Sequence, residues 1–212
     1  MSARDDVLGR IRAALGAGGV VPDVPREYDG PGAGAPAGDP DVVTRFCERA
    51  AEYRATVRRV PRPELADAVA AAFAEHGARR VVAAPEAPAP AAGALELVAD
   101  DPPLSPRDLD AIDGVVTGCA AAIAETGTVV LDGGVRSGRR ALTLVPDLHV
   151  CVVDEADVHA SVPDAVAALA GAAAEGRPLT FVSGPSATSD IELERVEGVH
   201  GPRTLVILVV GP

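Results

Sequence analysis

The chain has 212 residues, a formal net charge of −12, and 48% hydrophobic but only 2% aromatic residues. That length allows one full domain plus an appendage, with a core that must be built from Ala, Val and Leu. The acidic balance excludes non-specific nucleic-acid binding, which needs a basic surface. All 19 basic residues are arginine, so Schiff-base chemistry, pyridoxal-phosphate catalysis and the Walker P-loop, each of which needs a lysine, are excluded too.

The three cysteines, Cys47, Cys119 and Cys151, are far apart and form no CxxC. That spacing gives neither a disulfide framework nor a zinc or iron–sulfur site, and buried reduced thiols are expected. No HxH or HExxH spacing marks a metal. No apolar run approaches the ~18 residues of a membrane span, and the first residues, MSARDDVLGRIR, lack the apolar stretch of a signal peptide. The sequence is therefore read as cytoplasmic, with no membrane span.

Residues 2–15 read as a helix, with Ser2 as N-cap, Asp5 and Asp6 in the first turn, and Val7, Leu8, Ile11 and Leu15 on one face. Residues 16–40 are rich in Gly, Pro and Ala and read as a mobile linker. A second helix is predicted over 41–59, with Val42, Val43, Phe46, Ala50, Tyr53 and Val57 on one stripe. The expected organisation is an N-terminal helical appendage over 1–59 and an α/β domain over 60–212.

Within that domain, helices are predicted over 63–75, over 105–112 with Ser105 as cap and Pro106 in the first turn, and over 162–173. Strands are predicted over 81–84, 95–98, 114–117, 119–124, 127–131, 148–153, 179–182 and 205–210. Helix alternates with strand, and most strands are apolar without period-two alternation. That marks a mostly parallel sheet covered by helices on both faces. Ligands of such sheets sit at the carboxyl ends of the strands, and four loops compete for that place: 120–128, 132–140, 183–192 and 198–203.

In the first loop, Glu125-Thr126-Gly127-Thr128 sets a carboxylate between hydroxyls. Glu125 can serve as base or nucleophile, or it can cap a turn while Gly127 supplies an unusual backbone angle. The turn-stabilising role is favoured. The second loop carries Arg136, Arg139 and Arg140 among glycines. It is an anion clamp or an exposed flexible loop, the two readings standing level. The third, between Ser183 and Glu192, can form an anion nest from hydroxyls and amides or a turn whose acids cap backbone. It lacks the GxSxG elbow of a serine nucleophile. In the fourth, His200 lies between glycines, a setting suited to a switchable acid–base group. His149, beside a strand, reads as a satisfied structural residue.

The pieces AIAETGTVVLDGG, RRALTLVPDLHVCVV, ASVPDAVAAL, TFVSGPSATSDIELERVEGVHGP and TLVILVV occur in this order. Together they resemble the lactate-utilisation protein C family (LutC-like, the LUD domain), strongly over 115–210 and weakly toward the start. The resemblance implies a fold similar to the sugar-phosphate isomerase and CoA-transferase group, related to formyltetrahydrofolate cyclo-ligase. It also implies two iron–sulfur partner subunits, which together with this type of chain support oxidation of L-lactate to pyruvate. No cofactor is then expected in this chain. The matching positions are Glu125, Thr126, Gly127, Ser183, Gly184, Ser186, Thr188, Asp190, Glu192 and His200. The resemblance assigns no catalytic step. Glu125, Asp190 and His200 are the catalytic candidates. Thr126, Gly127, Arg136, Arg139, Arg140, Ser183, Gly184, Ser186, Thr188 and Glu192 are the candidates for binding a small carboxylate. The alternative is a stand-alone enzyme on a small anionic or acyl substrate, with Glu125 as nucleophile or base and the arginine loop as clamp. If the loops converge, Glu125, Asp190 and His200 share one pocket.

Overall fold

A computed structural model of the chain describes residues 2–16, 23–32, 34–91, 93, 95–188, 196–198 and 200–211. Its helices are α1 (Ala3–Leu15), α2 (Pro40–Glu52), α3 (Leu65–Glu75), α4 (Pro106–Asp110), α5 (Val162–Ala168) and α6 (Ala170–Ala174). Its strands are β1 (Thr56–Pro61), β2 (Arg80–Ala83), β3 (Glu96–Val98), β4 (Gly114–Gly118), β5 (Ala121–Ile123) and β6 (Thr128–Leu131). They continue with β7 (Leu148–Asp154), β8 (Val158–His159), β9 (Thr180–Val182), β10 (Ala187–Thr188), β11 (Val196–Glu197) and β12 (Thr204–Gly211).

Six strands form a wholly parallel sheet in the order β1-β12-β7-β4-β2-β3. The run Leu205-Val206-Ile207-Leu208-Val209-Val210 suits β12 to a place inside the sheet, between β1 and β7, because no side chain in it needs water. Leu205, Ile207 and Val209 face a core with Val43, Phe46 and Ala50 of α2. Val206, Leu208 and Val210 face another with Val69, Ala72 and Phe73 of α3. Burying these six side chains contributes on the order of 10 kcal/mol, as an upper estimate.

A mixed sheet, β8-β5-β6-β9, packs beside the first. Ala122, Val129 and Leu131 point into the α2 core. Ala121, Ile123 and Val130 point outward onto Ala165 and Leu169. β10 and β11 make a small antiparallel ribbon. The parallel sheet between helices agrees with the α/β class read from the sequence. α1 carries a Ser2–Asp5 capping box and buries no residue, as an appendage does.

Three local expectations change. The helix predicted over 41–59 ends at Glu52; Arg54 turns the chain at φ 70, and β1 follows. β-branched Val57 and Val60 suit a strand, and the partner that selects it, β12, is invisible to helical periodicity. The boundary drawn between residues 59 and 60 thus falls inside β1, and α2 packs into the main core. The 162–173 helix is two pieces meeting at Leu169. Finally, part of the linker is tied down: Gly32 N donates to Asp164 Oδ1 at 2.6 Å, and Gly38 N donates to the Val158 carbonyl at 3.1 Å.

Candidate functional site

The two glycine-containing motifs are placed by the end of α2. Gly127 has φ 61, and a Cβ there would lie 2.4 Å from Ala50 N. Gly184 has φ 83, and a Cβ there would lie 2.2 Å from the Tyr53 carbonyl oxygen. Both positions need a left-handed backbone and also a missing side chain, which only glycine supplies. Hydroxyls join the motifs: Thr126 Oγ1 and Ser183 Oγ each lie 2.7 Å from Thr128 Oγ1. Thr128 is buried, so this chain satisfies hydroxyls that would otherwise be costly inside.

Beyond Ser183 the loop opens into a cleft of about 220 Å³ at the amino ends of β7 and β12, flanked by β9. Ser186 N donates to the Pro202 carbonyl at 2.8 Å, and Ser186 Oγ accepts from His200 N at 3.0 Å. These bonds and the β10–β11 ribbon hold the SGPS and HGP segments together. His200 lines the cleft and is exposed. Arg140 reaches into it, donating from Nη1 to Thr143 Oγ1 at 3.0 Å and from Nη2 to the His200 carbonyl at 2.9 Å. Arg140 has no carboxylate partner among the described residues. Burial pushes its guanidinium down from the ordinary arginine value. Among the described residues, the other N–H donors of its fork meet no partner.

The three loop arginines therefore do not form one clamp. Arg139 grips Asp100 with two bonds of 2.7 Å and adds a third to the Leu104 carbonyl. Arg136 pairs with Asp157 at 2.7 Å in a separate crevice of about 390 Å³. That crevice lies at the carboxyl ends of β4, β7 and β12, and there Arg62 pairs with Asp154 at 2.5 Å. Each of these arginines already has its counter-charge, whereas Arg140 has none among the described residues.

Of the four loops that compete for the carboxyl ends, not all lie there. The 198–203 loop precedes β12 and sits at its amino end, while the 132–140 loop contributes Arg136 at one end and Arg140 at the other. Glu125 is exposed, accepts from Val162 N at 3.4 Å at the start of α5, and is not in the cleft with His200. Thr188 pairs with Val196 across the ribbon. Asp190 and Glu192 lie outside the described residues. Among the described residues, no three His, Cys, Asp or Glu side chains group to hold a metal.

Sequence reading passed over the floor of the cleft. His149 is 1% exposed and lines it, with Nε2 2.8 Å from Thr117 Oγ1. Cys151, on the same face of β7, is buried; the neighbouring Cys119 thiol pushes its own thiol down against the effect of burial, with His149 and Thr117 acting in the same direction. The available signal was one polar residue in each of two otherwise apolar strands, His149 in LHVCVV and Thr117 in GVVTG.

Fold and cleft together define a parallel-sheet α/β domain whose polar cleft is walled by the SGPS and HGP segments. The LUD domain family matches residues 44–210, and the chain belongs to that family. It is 45% identical to lactate utilization protein C of Deinococcus radiodurans over 210 residues, covering 99% of this chain and 96% of that one. The protein of the same name from Bacillus pumilus is 36% identical over 92 residues, 42% of this chain and 38% of its own. A crystal structure of a DUF162 family protein from D. radiodurans superposes with a TM-score of 0.70 at 43% identity, covering 81% of this chain and 97% of that one. Among the described residues, no helix is long and apolar enough to cross a membrane.

Proposed function

We propose that this chain is the subunit without clusters of a cytoplasmic three-component iron–sulfur system that oxidises L-lactate to pyruvate, and that its cleft holds a small carboxylate on Arg140. The observation that carries the cleft reading is a half-buried guanidinium with no counter-charge among the described residues, facing a cleft walled by the chain's most distinctive loops. Such a fork is complementary to a carboxylate, and partial burial strengthens the attraction. The full-length likeness to a protein named for lactate utilisation supports the choice of acid. Two further subunits would carry the clusters. Cys47 lies on α2 apart from buried Cys119 and Cys151, and three thiols do not supply the four that such a cluster takes.

The test is genetic. Deleting this gene alone is expected to abolish growth on L-lactate and leave growth on pyruvate intact. Normal growth of that strain on L-lactate, with no other lactate dehydrogenase present, overturns the proposal.

A further inference from the structure

β4 and the first six residues of β7 are each apolar but for one polar residue. β4 reads Gly-Val-Val-Thr-Gly, and β7 begins Leu-His-Val-Cys-Val-Val. The two polar residues, Thr117 and His149, meet at 2.8 Å. Both are buried, at 0% and 1% exposure. A valine at either place would fill the sheet without the desolvation that a hydroxyl and an imidazole incur. Their hydrogen bond offsets that loss only in part. Purely structural service is therefore a poor account of the pair, and the open space that the imidazole meets is the cleft.

The bond to Thr117 commits Nε2 and fixes the plane of the ring; Nδ1 is the remaining ring nitrogen of a residue that lines the cleft. Arg140 and Thr143 line the same cleft as the β9 segment, with the buried His149 at its floor. An acid whose carboxylate lies on Arg140 can direct the substituent on its second carbon toward that floor. A hydrogen bond formed there is shielded from water, so an analogue lacking the oxygen leaves a buried polar nitrogen unsatisfied.

We infer that His149, oriented by Thr117, reads the oxygen at the 2-position of the acid held by Arg140, so that the cleft selects short 2-hydroxy and 2-oxo monocarboxylates over plain ones. The inference rests on the reading of the cleft as a carboxylate site. Arg140 sets the charge that is recognised, and His149 sets which carboxylate is kept. Thr117 of β4 lies against the ring, Cys151 follows on the same face of β7, and Arg140 and Thr143 line the same cleft.

The experiment is calorimetric titration of the purified full chain with L-lactate, pyruvate and propionate. Wild type is expected to bind L-lactate and pyruvate roughly tenfold more tightly than propionate, the worth of about one hydrogen bond. His149→Leu alone strands the Thr117 hydroxyl and can misfold, so the variant used is Thr117→Val with His149→Leu, which replaces both partners by apolar groups. Its melting temperature should match wild type, and its three affinities should converge on that of propionate. Arg140→Leu should lose all three acids. If the folded double variant keeps the wild-type preference for L-lactate, the role of His149 is overturned while the cleft reading stands. If Arg140→Leu binds as wild type does, or if wild type binds none of the acids, the cleft reading itself falls and takes this inference with it.

Discussion

Gly184→Ala isolates what α2 does for the cleft. The new methyl would sit 2.2 Å from the Tyr53 carbonyl oxygen and 2.9 Å from its Cβ, on a residue held at φ 83. Placing a side chain in the left-handed region costs roughly 1–2 kcal/mol. Driving a backbone carbonyl and a packed helix end aside adds roughly 1–3 kcal/mol. The expected loss is about 2–5 kcal/mol, a large share of the ~5–15 kcal/mol that holds a typical domain together. For a chain of this size it corresponds to a melting temperature lower by about 4–20 °C. The control is Gly171→Ala in α6, where an added Cβ meets nothing within 4 Å. There alanine should be neutral or stabilise by about 0.5–1 kcal/mol. Thermal unfolding followed by circular dichroism reads both. A Gly184→Ala protein melting within roughly 2 °C of wild type would refute the claim that close approach of α2, rather than chemistry, demands this glycine.

Two further outcomes are expected. Arg139→Leu strands Asp100, whose side chain is only 14% exposed, and should cost about 1.5–3 kcal/mol in urea unfolding at pH 7. Arg139 holds the Asp100 carboxyl below its ordinary value. The pair's contribution is thus complete above the unfolded carboxyl value of about 4 and is lost as pH falls through the lower folded one. The variant should therefore differ most from wild type near neutrality and converge with it in acid. Glu125→Gln removes charge from the start of α5 and should lower stability by no more than about 1 kcal/mol. It should still restore growth on L-lactate to the deletion strain, and failure to do so despite normal folding would return Glu125 to the chemistry.

The sequence announced its class through strands such as 205–210, where an unbroken apolar run admits only a place between two covered faces. It was silent on β1, because Val57 and Val60 satisfy a helical stripe as well as a strand, and the choice belongs to a partner far along the chain. For the site, the motifs pointed to the right loops but not to which side chains meet. Three arginines within five residues look like one clamp. Yet Asp100 and Asp157, distant in sequence, claim Arg139 and Arg136 and leave Arg140 without a carboxylate among the described residues. The burial that gives His149 its interest is a tertiary fact; in sequence it is one imidazole beside a strand.

The strand order carries a consequence for how the chain is made. Thr56 of β1 pairs with Val206 of β12, 150 positions later, and β12 alone joins β1 to the rest of the sheet. At ~5–20 residues per second, a ribosome needs about 8–30 s between making the two. Once β7 is made, it presents an unpaired edge of Val and Cys residues until β12 follows, and α2 meanwhile lacks Leu205, Ile207 and Val209. The sheet cannot close before β12 is made, and neither can the cleft, since Gly201 and Pro202 arrive just ahead of that strand. Anything that stalls synthesis after β7 leaves a Val-rich half-sheet open to other chains, so the yield of this protein is governed by its late strand as much as by its final stability.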